Sequence, residues 1–388
     1  MDGSSLVNSE AVAAGSPTDD GAEPFPRCGL AALIVAAASN APDGVLLSDD
    51  AGPVTAAMTA RRMVGIAAYF RASGLVAGER VMIVAGAQTA AIVALAAALV
   101  VGAEPVMAPC GLSPLDLAAH ARAAGAVALV GPSRYGPVQF GDAYLSVAAI
   151  VDTIRMVATQ GPEPLDGAVD LSAAALTDRP TSHFGPAADL THHDAGLESP
   201  LIATFKGPSS APTLVLHRQA ALFADALSLV EKTRLNPSKR LISTLPPATM
   251  AGLVAGPFAA LVGASGLTLH GPFDTSRFLA TLDAEPGAHI VAPCALGSAF
   301  EDQRLSGGLT SLVLVSRFPD PHGFELPPPL ACNRPIVDLY AFGEETLLAC
   351  RRTDGEARPP ARVTDKSIGG GLGARLNRAR AEHGSQGS

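Results

Sequence analysis

Two rhythms of apolar and polar positions alternate along the chain. Short, largely unbroken apolar runs predict strands over 45–47, 81–84, 104–107 and 127–130. Longer stretches between them carry apolar residues at helical spacing. From Thr55 to Ser73 the positions Met58, Met63, Ile66, Ala67 and Phe70 repeat in this way, and Gly74 ends the run. Helices are likewise predicted over 30–39, stopped by Asn40 and Pro42, over 89–101 and over 114–124. Strands that alternate with helices, and are apolar on both faces, require a parallel sheet covered on both sides. The first half of the chain therefore reads as α/β.

Between Gly131 and Ser199 the rhythm weakens, with turns at Gly161-Pro162 and Arg179-Pro180 and a polar run Thr191-His192-His193-Asp194. This stretch reads as irregular structure between two lobes, and the polar run as a linker. The alternation resumes with strands over 201–205, 240–245, 266–269, 289–292, 311–315 and 336–340, and helices over 219–231, 252–262 and 275–283. There is no strict internal repeat. The expected organisation is a disordered leader over 1–26, a first α/β lobe over 27–190, a second over 191–350 and a flexible, Arg- and Gly-rich tail over 351–388.

Composition narrows the function. The 388 residues include 27 basic and 36 acidic side chains, a formal charge of −9, with 48% apolar residues and no Trp. Such a chain builds a large core of Ala, Leu and Val and lacks the basic, aromatic surface that nucleic acids need. The five cysteines, Cys28, Cys110, Cys294, Cys332 and Cys350, are scattered, odd in number and never spaced Cys-x-x-Cys. That pattern argues against a zinc ribbon or disulfide scaffold and suits a reducing compartment, so a cytoplasmic location is expected. The first 26 residues carry acids but no base, which excludes the positive flank of a signal peptide. The charge-free stretch 81–103 is long enough to span a bilayer, but Gly86, Gln88 and Thr89 interrupt it. A strand, a turn and a buried helix fit it better, and the chain is read as not transmembrane.

The run Arg71-Ala72-Ser73-Gly74-Leu75-Val76-Ala77-Gly78-Glu79-Arg80-Val81 resembles the Leu-Gly-Val-x-x-Gly-Asp-Arg-Val turn near the start of adenylate-forming enzymes. These form the AMP-dependent synthetase and ligase superfamily of acyl-CoA synthetases, peptide-synthetase adenylation domains and luciferases. The order that follows is also similar: an apolar helix, Gly-Ala before a strand, Leu112-Ser113-Pro114-Leu115-Asp116-Leu117 opening a helix, then Ala123-Ala124-Gly125-Ala126. The resemblance covers roughly residues 30–350. It implies an α/β fold of two adjoining lobes with largely parallel sheets covered by helices. It also implies a chemistry, in which a carboxylate attacks the α-phosphorus of ATP, giving acyl-AMP and pyrophosphate, before a thiol takes the acyl group.

Three degenerate motifs carry the implied site. The family phosphate loop resembles Thr-Ser-Gly-Thr-Thr-Gly-x-Pro-Lys-Gly, and here the stretch is Phe205-Lys206-Gly207-Pro208-Ser209-Ser210-Ala211-Pro212-Thr213-Leu214. Gly207, Ser209 and Pro212 match. Ser210 stands for the second Gly and Thr213 for the Lys, while Lys206 brings a cation at another point and Pro208 removes an N–H. The loop either holds ATP or AMP phosphates or is an ordinary strand-to-helix loop whose ancestor did. The carboxylate-pocket motif Pro-Leu-Phe-His-x-x-Gly is met by Pro246-Pro247-Ala248-Thr249-Met250-Ala251-Gly252, with Thr249 in place of His, so Thr249 and Gly252 are the substrate-binding candidates. The third motif, Tyr-Gly-x-Thr-Glu-Thr, is met by Tyr340-Ala341-Phe342-Gly343-Glu344-Glu345-Thr346. Tyr340 would meet the nucleotide; matching on it makes Glu344 the Mg²⁺ carboxylate, whereas matching the trailing Glu-Thr chooses Glu345.

The resemblance also implies a small barrel lobe and a mobile C-terminal domain with a catalytic Lys. The roughly 40 residues after Cys350 show no strand pattern for them, and Lys366 is the only Lys there. The G-x-G-x-x-A string at 369–374 lacks a preceding strand, and no nucleophile elbow occurs. Two functions remain open. One is a catalytically impaired acyl-group or nucleotide-binding module or partner subunit. The other is an ATP-dependent acid-thiol ligase, acting on an acyl or aryl carboxylate, whose lid comes from another chain. ATP or AMP and Mg²⁺ would be its cofactors if the ancestral site survives.

Overall fold

The computed structural model describes residues 29–172, 201–301, 308–318, 329–330 and 334–357. The first part runs α1 (Leu30–Asn40), β1 (Val45–Asp49), β2 (Gly52–Thr55), α2 (Ala56–Ala72), β3 (Arg80–Ala85), α3 (Thr89–Val100), β4 (Glu104–Pro109), α4 (Pro114–Ala124) and β5 (Ala128–Pro132). It continues with β6 (Arg134–Tyr135), β7 (Val138–Gln139), α5 (Gly141–Ile150), β8 (Met156–Gln160) and β9 (Val169–Asp170). The second part begins β10 (Ile202–Lys206), β11 (Thr213–His217), α6 (Gln219–Thr233), β12 (Leu241–Ser243), α7 (Met250–Leu253), α8 (Ala259–Val262), β13 (Leu267–Leu269) and α9 (Thr275–Ala284). It closes with β14 (His289–Pro293), β15 (Ser311–Phe318), β16 (Ile336–Phe342) and β17 (Thr346–Arg351).

Two sheets carry the fold. The first has the order β11-β10-β4-β3-β5-β8-β9 and is parallel except for the β10–β11 hairpin. The second, β17-β16-β15-β14-β12-β13-β1-β2, is parallel except at its two ends. The α/β architecture expected from the pattern is thus present, but the sheets do not divide the chain at residue 191. β1 and β2 complete the second sheet, through Leu47 beside Leu267, whereas β10 and β11 complete the first, through Ala203 beside Val106. A strand goes to whichever edge has unpaired backbone groups, and chain order alone does not choose that edge.

The sheets share a middle layer. α3, the charge-free helix of the sequence, is buried at every position but Ala90. One core cluster joins Val81, Ile83 and Ala85 of β3, through α3, α6 and α7–α8, to Val313, Val315, Val337 and Leu339 of the second sheet. The other face of β3, Met82 and Val84, packs with Leu117 and Ala121 of α4 and with Tyr144 and Val147 of α5. The far face of the second sheet, Ile242, Ile290 and Leu314, meets Phe278 of α9. No described helix is long and apolar enough to cross a membrane.

Local signals set most boundaries. Thr55 caps α2 by accepting the Met58 N–H, and Ser113 and Pro114 open α4, which closes on Gly125 at φ 60°. The helix expected over 252–262 starts at Met250 and is interrupted by a π turn, Val254–Phe258, where Pro257 cannot donate to the helical ladder. The stretch expected to be irregular from 131 contains β6, β7, α5, β8 and β9. Its elements are short, and α5 buries only Tyr144 and Val147, too few apolar contacts to stand out as a period. The leader, the His192-His193-Asp194 run and all of the tail beyond residue 357 lie outside the described residues.

Candidate functional site

The stretch expected to lead from a strand into a helix is a β-hairpin. β10 and β11 pair from Ile202 with His217 to Lys206 with Thr213, so the phosphate-loop equivalent is the hairpin's tip. Gly207 turns the chain at φ 89°, a left-handed conformation that glycine adopts without strain. Gly207, Ser209 and Ser210 are exposed, and one backbone bond, from Ala211 N–H to the Pro208 carbonyl at 3.0 Å, closes the tip. Thr213, in the position of the family Lys, is exposed on β11. Lys206 forms an ion pair with Glu345, 139 residues away in sequence, with 41% and 53% of their side chains exposed.

The turn between β16 and β17, Gly343–Glu345, separates the two acids. The Glu344 side chain is 3% exposed and reaches inward. Its Oε2 accepts the Met250 N–H of α7 at 2.5 Å, and its Oε1 accepts from Arg317 Nη2 at 3.2 Å. Thr204 of β10 adds a side-chain hydrogen bond. Burial raises the Glu344 pKa, opposed by the Met250 N–H and the Arg317 charge. Thr204 Oγ1 lies 2.8 Å from His217 Nε2 inside the hairpin. Burial lowers the His217 pKa to about 4, so this imidazole is neutral near pH 7.

The remaining candidates are spoken for within the fold. Thr249 is the N-cap of α7 and accepts the Gly252 N–H at 3.1 Å. A Cβ at Gly252 would stand 2.1 Å from the Pro246 carbonyl oxygen, so this glycine is required for packing. Tyr340 is fully buried within β16 beside Phe318, and its hydroxyl has no hydrogen-bond partner among the described residues. The structure therefore brings Lys206, Gly207, Ser209, Ser210, Thr213 and Glu345 together at the hairpin and holds Tyr340 apart from them in the sheet. Thr204, Arg317 and the Met250 N–H were not legible as members: Thr204 and Arg317 lie outside the family motifs, Met250 fills an unspecified position within one, and each meets Glu344 only through folding. His217 was seen only as a residue that caps or packs, whereas it is hydrogen-bonded within the hairpin.

The donor set can be tested against Mg²⁺. Both Glu344 oxygens already accept hydrogen bonds, one from a cation, and no group of three His, Cys, Asp or Glu among the described residues is placed to hold a metal. Glu344 thus serves here as a structural anchor, whereas Mg²⁺ needs only one or two protein carboxylates beside phosphates and waters, and the half-exposed Glu345 is the acid of the pair that faces solvent. What the tip does offer an anion is Lys206, two exposed hydroxyls and backbone N–H groups.

The family model of the AMP-binding enzymes matches residues 34–370. A search among curated proteins finds no match. Among solved structures, the acetoacetyl-CoA synthetase from Streptomyces lividans superposes with a TM-score of 0.64 at 19% identity, covering 80% of this chain and 51% of its own. A putative long-chain-fatty-acid CoA ligase from Rhodopseudomonas palustris gives 0.66 at 17% identity, with 83% and 78% covered. The anthranilate CoA ligase AuaEII, in complex with anthranoyl-AMP, gives 0.63 at 13% identity, with 82% and 61% covered. The chain thus spans about half the length of the first of these proteins. At such identities the likeness is one of fold, and the two-sheet architecture is theirs. With a family model covering most of its length, the chain belongs to the AMP-binding enzyme family.

Proposed function

We propose that the chain is a catalytically impaired member of this acyl-CoA synthetase-like family, acting as a nucleotide- or acyl-group-binding module or as a partner subunit. The ion pair of Lys206 with Glu345 carries this reading, since the loop's one cation is neutralised from within. The inward anchoring of Glu344 supports it, because a carboxylate held by Met250 and Arg317 is not presented to a metal-bound triphosphate. Thr213 in place of the family Lys leaves no second cation on the tip. The chemistry left to this chain's own residues is binding: exposed Ser209 and Ser210 hydroxyls and the Gly207 backbone meet an anion, and Lys206 balances its charge.

Calorimetric titration with ATP and with an acyl-AMP analogue tests the binding, and ATP–pyrophosphate exchange over a panel of acids tests the impairment. Measurable affinity with no exchange is expected; exchange with any one acid ends the reading. The active-ligase alternative is favoured by one observation, the exposed and retained Gly207–Ser210 tip in the fold of CoA ligases. It requires that Lys206→Ala abolish nucleotide binding and exchange together.

A further inference from the structure

We propose that Lys206 and Glu345 form a latch across the hairpin tip, and that a pyrophosphate or triphosphate group binds there by replacing Glu345 on Lys206. This rests on the phosphate-binding part of the reading above and adds how that site is regulated.

The latch joins the two sheets. Lys206 is the last residue of β10 in the first sheet, and Glu345 sits in the turn that ends β16 in the second. The turn is pinned: Gly343 N–H donates to the Phe318 carbonyl at 2.6 Å, Glu345 N–H to Phe342 at 3.3 Å, and Glu344 is tied to α7 and β15. Glu345 is thereby presented at a set point, while its carboxylate remains half in solvent. On the other side, Lys206 is the only basic residue between Phe205 and Leu216. Within the hairpin itself, the ammonium group that Glu345 occupies is therefore the cation available to an anion bound at the tip.

The character of the pair fits exchange better than support. The fold's structural ion pair, Asp338 with Arg352, is bidentate at 2.8 and 2.9 Å and nearly excluded from solvent. Lys206 meets a single oxygen, Glu345 Oε1, and both partners are exposed. An exposed pair of this kind is weak, so a polyphosphate carrying more charge than one carboxylate can displace it, at a cost of about two- to fivefold in affinity. A free Glu345 beside the bound phosphates would repel them, so the side chain has to swing outward as the anion enters.

The probe is inorganic pyrophosphate in divalent-free buffer, titrated against the wild-type chain, Glu345→Gln and Lys206→Gln, with amide hydrogen exchange followed over residues 207–212. Glu345→Gln is expected to tighten pyrophosphate about two- to fivefold and to speed exchange at the tip, and Lys206→Gln to reduce binding to background. If the wild type binds and Glu345→Gln binds equally or more weakly, the latch is wrong while the phosphate site stands. If none of the three binds, the phosphate-binding reading itself falls, and the latch with it. Both positions are exposed, so neither variant threatens the core.

Discussion

Glu344 and Glu345 are adjacent in sequence, yet the turn at 343–345 buries the first against α7 and leaves the second half in solvent. Removing the buried one leaves the buried Met250 N–H without its acceptor, while Arg317, largely exposed, can turn to solvent and Thr204 keeps its contact with His217. Glu344→Ala is expected to cost about 1–3 kcal/mol in urea unfolding, and Glu344→Gln less, because the amide oxygen still accepts one bond. The two variants also differ in pH dependence. Burial raises the Glu344 pKa, so the native state keeps this proton to higher pH than the unfolded chain does. Stability therefore falls as pH rises from the usual carboxylate range through the native pKa, and Glu344→Gln removes that slope. From sequence the choice between the two acids stayed open, since a shift of one residue in the motif match exchanges them and composition is the same either way.

At the scale of elements, the edge strand β17 holds the acid turn in place. Its attachment includes Arg352, just beyond the strand, which grips Asp338 of β16 with both Nε and Nη2. Arg352→Met should destabilise the fold by about 3–5 kcal/mol, since it leaves Asp338 charged, buried and unpaired. Asp338→Leu added to it should recover most of the loss, a result readable by urea denaturation and contrary to what two independent defects would give. Elements with strong local signals were legible: α4 was expected at its observed limits because Ser113, Pro114 and Gly125 mark both ends. β11 was not, because it lies directly after Pro212 in a motif that reads as a loop. Nor was the break between α7 and α8 read from Gly256-Pro257, because the apolar run continues unbroken across it, although Gly256 there leaves the helical conformation.

Across the whole molecule, buried imidazoles set the acid limit. His217 and His289 are both lowered to about pKa 4 by burial, the latter also by Lys239, and His289 Nδ1 bonds Ser311 Oγ at 2.7 Å. The unfolded chain binds these protons near pH 6.5 and the native state does not. Stability is therefore full above about pH 6.5 and declines as pH falls toward 4. His217→Gln, which keeps an N–H donor, should flatten the decline by on the order of 2 kcal/mol, measured as urea midpoints between pH 7 and 4.5. Asp225, pushed up to about 6 by burial, acts with the opposite sign, so Asp225→Asn should steepen it. The amino-acid sequence by itself determined the alternation of strands and helices, the buried nature of α3 and the family, because an apolar run or a capped helix is a local property of neighbouring residues. Only the tertiary structure decided that β1 and β2 leave for the second sheet, that the phosphate-loop equivalent is a hairpin tip, and that Glu345 meets Lys206. These depend on which strand edges stay unpaired and which side chains converge from positions more than a hundred residues apart, and no local pattern records either.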